Sequence, residues 1–242
     1  MNIIQGDIHN IIKTLPSNTY DLLYSNPPFA MTGAKWDKTI RFEELWTDIW
    51  RILKPNGAVI LHSTQYFTHK LVSTQLDHFK YNYVWLKNIA TNFFLAKKQP
   101  LRITEDICVF YKKQPKYNPQ MKGNTFHKKR VVKYGGKCEY YGNDKKHKTS
   151  WGYETENGGH KGRYPNTLLE YPIRKSKASE NNASTRTDEM VDFFIKTYTN
   201  EEDHILDITC YDALTGKRAK KLNRNYTGID LEPKLLGTLP FL

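Results

Sequence analysis

A chain of 242 residues that is 38% hydrophobic suits one α/β domain with an insertion and can bury a proper core. No apolar run approaches the roughly 18 residues of a membrane-spanning helix, and Met1–Asp7 shows no cationic-then-apolar leader pattern, so a cytoplasmic protein with no membrane partner is expected. The cysteines, Cys108, Cys138 and Cys210, form no C-x-x-C pair and the histidines no metal spacing, which argues against a disulfide framework or a metal site, while a net charge of +12 calls for a polyanionic partner.

Asn2–Gln5 reads as a short strand ending at Gly6-Asp7. Ile8–Leu15 has helical spacing, with Ile8, Ile11, Ile12 and Leu15 on one face, and Pro16 closes it. Tyr20–Tyr24 is a compact apolar strand that runs into Ser25-Asn26-Pro27-Pro28-Phe29. Phe42–Leu53 is an amphipathic helix stopped by the turn Lys54-Pro55-Asn56-Gly57, and Ala58–His62 is a buried strand. A helix is expected over Phe67–Leu76, and strands over Tyr83–Lys87 and Asp106–Tyr111. Residues 114–165 lose all sustained period and become rich in Lys, Gly, Asn and Tyr, as a loop-rich insertion would. Residues 175–187 read as a polar linker. The pattern then resumes with a helix over Met190–Lys196, a strand at His204–Thr209, a helix at Leu214–Leu222 and a strand at Tyr226–Asp230. Strands alternating with helices predict an α/β, mostly parallel sheet flanked by helices.

Asn26-Pro27-Pro28-Phe29 falls at the carboxyl end of a strand, where such sheets bind ligands. Its residue types suit chemistry on an exocyclic amine, whose lone pair is delocalised into a ring. The Asn26 side-chain oxygen and the Pro27 carbonyl can accept the two N–H groups and favour a tetrahedral nitrogen. Consecutive prolines stiffen that carbonyl, and Phe29 offers a face for a flipped base. Asp37, beside Trp36, is a candidate for ordering the loop that follows.

The chain resembles the β-type, permuted family of adenine-N6 or cytosine-N4 DNA methyltransferases, especially the small phage-encoded members. The likeness is carried by Ile4-Gln5-Gly6-Asp7, by Asp21–Phe29 with its catalytic motif, and by Lys54-Pro55-Asn56-Gly57. It continues through Ala96-Lys97-Lys98-Gln99-Pro100-Leu101-Arg102, Glu105–Tyr111, and Tyr164-Pro165 with Leu168–Pro172, in the family's order over nearly the whole chain. The resemblance implies a Rossmann-like methyltransferase fold that binds S-adenosylmethionine, acts on double-stranded DNA, and works in a prokaryotic cytoplasm. It implies a catalytic half at 1–113, a target-recognition insertion at 114–165 and a cofactor-binding half at 166–242. Asp7, Ser184, Arg186, Asp207, Thr209 and Asp230 are the implied cofactor residues. Asp207 would face the cofactor's ammonium group, and Asp230 its ribose hydroxyls.

The chain differs from the family's pattern at one residue and in two short stretches. Its motif usually begins with Asp, where Asn26 keeps the acceptor and loses the charge. Its His-Pro-Thr-Gln-Lys-Pro stretch corresponds to Asn182-Ala183-Ser184-Thr185-Arg186-Thr187. Its Gly-Ser-Gly loop corresponds to Tyr211-Asp212-Ala213, so a tyrosine ring would fill cofactor space unless the loop takes another path.

Between Tyr111 and Arg163 there are twelve Lys and two Arg against four acids, which is ten of the twelve excess charges. Lys97, Lys98, Lys128, Lys129, Arg130, Lys133, Lys145, Lys146 and Lys148 are candidates for phosphate contacts. Tyr134, Tyr140, Tyr141, Trp151 and Tyr153 are candidates for stacking. The leading expectation is methyl transfer to adenine N6 of a flipped base. The alternatives are an inactive relative, with cofactor binding weakened or lost, that binds DNA or a protein partner, and a cytosine-N4 or RNA methyltransferase. A homodimer is a further expectation.

Overall fold

The structure is a computed structural model that describes residues 1–34, 36–128, 159–174 and 186–234. They fall into two compact units, one of Met1–Asn118 with Asn166–Leu242, the other of Pro119–Pro165.

In the larger unit, β1 (Asn2–Gln5) leads into α1 (Ile8–Thr14), which begins where Asp7 accepts a 2.8 Å hydrogen bond from the His9 amide. β2 (Tyr20–Ser25) is buried at every position, as a central strand covered on both faces must be. α2 (Phe42–Ile52) buries Phe42, Leu45, Trp46, Ile49 and Ile52 at helical spacing, with Glu43 and Glu44 in its first turn. It passes without a linker into β3 (Leu53–Ser63). α3 (Gln65–Ser73) follows, then a 3₁₀ turn at Leu76–His78, β4 (Phe79–Thr91) and β5 (Arg102–Phe110). After the second unit come β8 (Leu168–Glu170), α4 (Asp188–Tyr198), β9 (His204–Asp207), α5 (Leu214–Lys221) and β10 (Asn225–Asp230). In the second unit, β6 (Lys122–Lys128) pairs antiparallel with β7 (Gly159–Arg163).

Among the described residues, eight strands of the larger unit form one sheet in the order β1-β10-β9-β2-β3-β5-β4-β8. Every pairing from β1 through β3 is parallel, β5 runs antiparallel to both its neighbours, and β8 is parallel to β4. Alternation along β2 divides the core. Leu23 packs with Ile12, Trp46 and Ile49 on the α1–α2 side. Leu22 and Tyr24 pack with Phe194 and Leu214 on the α4–α5 side. This is the α/β sheet flanked by helices that the alternating pattern predicts.

Four local expectations need correction. The turn at 54–57 lies inside β3 as an outward loop, because Tyr20 pairs with Leu53 while Leu22 already pairs with Ala58. α3 begins at Gln65 and ends at Ser73, nearer the end of β3 than the apolar spacing suggests. β4 and β5 are longer than their apolar centres, since partners as far out as Thr91 and Arg102 keep pairing. The polar stretch 175–187 is not all linker. Arg186 and Thr187 are buried, and the Thr187 hydroxyl caps α4 by accepting from the Met190 amide at 3.4 Å.

Candidate active site

Parallel strands end on a common edge, so their last residues meet there. Across the sheet the order is Asp7 after β1, Asp230 ending β10, Asp207 ending β9, Asn26 after β2 and Thr64 after β3. The structure therefore brings together Asn26, Asp207, Thr209 and Asp230, which lie far apart in sequence.

Ser25 joins the halves. Its hydroxyl donates to Asp207 Oδ1 at 2.7 Å and shares a 2.6 Å contact with Thr209 Oγ1, whose own amide reaches Asp207 Oδ1 at 3.2 Å. Asp207 is fully buried, and Oδ2 has no hydrogen-bond partner among the described residues. Burial pushes its carboxyl up, and the charge of Arg186 works against that rise. Arg186 is 3% exposed and stands over the Tyr24 ring, 5.4 Å from its centre. The Tyr24 hydroxyl is 3.0 Å from His62 Nε2. Burial and then Arg186 hold His62 well below the usual histidine range, which favours the neutral ring. Burial pushes Tyr24 up to about 12. A buried cation, Arg186, thus lies behind the strand ends next to the buried Asp207.

At the motif, Asn26 is half-buried and its Oδ1 is enclosed with no donor among the described residues. An acceptor left bare in the interior costs about 1–3 kcal/mol, which an arriving N–H recovers. Pro27 is buried, and Phe29 lies half-buried against Phe67 with ring centres 5.4 Å apart. The next loop is tied by Asp37. Its carboxylate accepts from the amides of Ala30 (2.7 Å), Met31 (2.9 Å) and Thr32 (2.7 Å) and from the Thr32 hydroxyl (2.8 Å). Burial raises that carboxyl, but the Thr32 hydroxyl and these amides outweigh it and leave it below its ordinary value.

The loop after β9 answers the question posed by its missing glycines. Tyr211 and Ala213 both adopt positive φ, +39° and +50°, the region glycine enters without penalty. The backbone follows a glycine-type path with side chains attached. The Tyr211 amide donates to Asp230 Oδ2 at 2.9 Å, and the Glu232 amide to Oδ1 at 3.0 Å. The Tyr211 ring has the Lys234 ammonium 5.9 Å from its centre. Asp212 accepts from the Leu214 amide at 3.2 Å and lies 3.4 Å from Arg174, so its charge is locally engaged.

Of the other sequence candidates, Asp7 is half-exposed and occupied with His9, whose amide, then ring, lower its carboxyl. Lys97 and Lys98 are exposed in the loop between β4 and β5. The backbone of Lys128 pairs with Gly159 in the smaller unit. Ser184, Lys129, Arg130, Lys133, Lys145, Lys146 and Lys148, and the five aromatic residues from Tyr134 to Tyr153, lie outside the described residues. Among the described residues no cluster of His, Cys, Asp or Glu could hold a metal ion, and no helix is long and apolar enough to cross a membrane. Sequence reasoning missed Ser25, Tyr24 and His62. A polar residue closing an apolar strand was the only trace of the first, and the other two look like core.

The model of the family described as DNA methylase, N6_N4_Mtase, matches residues 20–238. The type II methyltransferase M2.LlaDCHI of Lactococcus lactis subsp. cremoris is 21% identical over 258 residues, covering 97% of this chain and 86% of that protein. Among solved structures, the PvuII DNA methyltransferase (cytosine-N4-specific) superposes with a TM-score of 0.67 at 14% identity, over 96% of this chain and 82% of that one. The M1.HpyAVI–SAM complex gives 0.60 at 19% identity, over 98% and 96%.

Proposed function

This chain belongs to the N6/N4 DNA methylase family, and from that premise we propose that it is an S-adenosylmethionine-dependent DNA methyltransferase that methylates adenine N6 of a flipped base. The observation that carries the reading is the enclosed, donor-free Oδ1 of Asn26. It suits one N–H of an exocyclic amine, and the Pro27 carbonyl suits the other. With both N–H groups held, the nitrogen lone pair leaves conjugation with the ring and becomes available for attack. The surplus proton departs after transfer, so no strong base is needed at the site.

The residues fit the cofactor. A sulfonium with an ammonium and a ribose calls for acceptors, and Asp207 and Asp230 supply carboxylates at adjacent strand ends. The positive-φ loop at 211–213 keeps its backbone on the glycine-type path beside them. When bound, S-adenosylmethionine supplies an electrophilic methyl group. Asp230 would hold the ribose hydroxyls, Thr209 and Asp207 the methionine end, and Asn26 the acceptor amine. Arg186 acts through Tyr24 and Asp207, balancing the buried carboxylate. Phe29, backed by Phe67, offers its remaining face to the base. The basic residues of 114–165 are proposed to contact DNA phosphates.

A cytosine-N4 target is the second reading, because the acceptor pair of Asn26 and Pro27 treats both amines alike and one fold neighbour is named cytosine-N4-specific. Incubation of mixed-sequence duplex DNA with the protein and labelled S-adenosylmethionine, followed by nucleoside mass spectrometry, tests both. N6-methyladenine is the expected product. N4-methylcytosine would move the assignment to the second reading, and no methylated base would overturn both.

A further inference from the structure

The ten residues 92–101 connect β4 to β5 and form a self-supporting tip. Asn92 turns the chain at a φ of +75°. The amides of Leu95, Ala96 and Lys98 then donate back to Asn92, Phe93 and Leu95 at 2.8–3.0 Å. This fixed turn does not bury its largest side chains. Phe93 is 77% and Phe94 99% exposed, with Ile89, Leu101 and Ile103 also exposed at the base. Two adjacent phenylalanines presented to water by an ordered turn mark a surface that meets a partner.

Three observations identify the partner. The tip follows β4, which runs in the same direction as β2 and β3, so it lies on the sheet edge that carries Asn26. At its base Arg102 Nη1 approaches Met31 Sδ at 3.5 Å, joining the tip to the loop that leaves the Asn26 motif. Finally, residues 88–104 contain Lys97, Lys98 and Arg102 and no acid, while the neighbouring Glu105 is held by Lys87 at 2.9 Å. A second copy of the same tip would bring like charges together. A polyanion that also offers flat apolar faces fits both halves of the surface.

We propose that this tip is a DNA wedge: Phe94, supported by Phe93, enters the base stack at the gap vacated by the flipped base, while Lys97 and Lys98 sit on flanking phosphates. The assignment rests on the reading of the chain as a DNA methyltransferase. A vacated position leaves its neighbours unstacked, and an aromatic ring restores the lost contact whatever the sequence. Asn26 would take the base on one side of the opening and the phenylalanine would hold the opening from the other.

The test uses the full chain and two labelled mixed-sequence duplexes, one intact and one carrying a single abasic site, followed by fluorescence anisotropy. The wild-type protein is expected to favour the abasic duplex about tenfold. F93A/F94A should lose that preference with an unchanged melting temperature and unchanged S-adenosylmethionine affinity. K97Q/K98Q should weaken both duplexes equally and lower the log–log salt slope by roughly two. Wild-type protein without a preference, or a double phenylalanine variant that keeps it, overturns the wedge. So does a variant that binds both duplexes normally but changes from dimer to monomer in sedimentation, which would make the tip an interface between copies. The readout needs no methyl transfer. A chain that prefers the gap but methylates nothing would sink the proposed function and leave the wedge, and the reverse result would do the opposite.

Discussion

The Ser25 hydroxyl donates a 2.7 Å hydrogen bond to Asp207 Oδ1, tying two residues 182 positions apart at the ends of neighbouring strands. Ser25→Ala would leave a buried carboxylate with one fewer donor, a loss of about 1–3 kcal/mol. Because Asn26 is the next residue, turnover should fall beyond what reduced stability explains. Urea unfolding and steady-state kinetics on the same preparation check this, and a variant that loses stability alone would make Ser25 a purely structural link.

Asn26→Ala removes the enclosed acceptor. Methyl transfer should drop by at least about 100-fold while affinity for DNA and for S-adenosylmethionine is kept. Asn26→Asp keeps an oxygen in place and should retain measurable turnover. Filter-binding assays of methyl incorporation read both.

At the cofactor loop, the left-handed backbone of Tyr211 and Ala213 predicts a gain from glycine. Each non-glycine residue there carries a strain of about 1 kcal/mol. Tyr211→Gly is therefore expected to raise stability by relieving the strain, and to tighten S-adenosylmethionine binding in calorimetric titration by removing the ring, because a strain carried alike by free and bound protein leaves affinity unchanged. Ala213→Gly should raise stability by less than the full strain, since Ala213 is wholly buried and its methyl packs in the core. Tighter binding by neither variant would show that the loop already suits the cofactor as it stands.

Asp37→Ala would strip the partner from three backbone amides of the loop after the motif. The expected effect is a raised KM for DNA with a smaller change in kcat, as a loop that positions the base becomes looser. Equal loss in both constants would point instead to a direct role in the reaction.

The amount of this visible in the sequence was uneven for physical reasons. Tyr20–Phe29 announced itself, because an apolar run ending in consecutive prolines leaves few alternatives to a strand and a stiff turn. The strands and helices around it followed from period alone. β8 did not, since its three residues bury only Leu169. Arg186 stood in a polar stretch that read as linker, and only the fold supplies Tyr24 and Asp207, the groups that make its burial tolerable. The sign of φ at Tyr211 was beyond reach for a similar reason. A tyrosine does not declare a left-handed backbone as glycine does, and the hydrogen bond to Asp230 that holds it comes from a strand further along the chain.

At the opposite end of the sheet, Asp21 is buried between Lys54 at 2.7 Å and Lys116 at 3.1 Å. Burial raises its carboxyl, but Lys54, the His204 amide and Lys116 outweigh this and set it below the ordinary aspartate value. A lowered folded-state pKa means that its stabilisation is complete above the unfolded aspartate range and is lost as pH falls through the folded value. Urea midpoints measured from neutral pH down to about pH 3 should fall less steeply in Asp21→Asn than in the wild-type protein. Parallel curves would show that other carboxylates govern the acid limb.

The strand order has a consequence for how the protein is made. β1 and β2 leave the ribosome well before β9 and β10, the two strands that lie between them in the sheet. Until then β1 lacks β10, the strand it pairs with, and β2 shows one open backbone edge along a strand centred on Leu22 and Leu23. The nascent chain must keep that edge from pairing with other chains, and closure requires two late strands to slide into a waiting slot. Refolding should accordingly be slow for a domain of this size, and a chain interrupted before His204 should be recovered as aggregate or bound to chaperones.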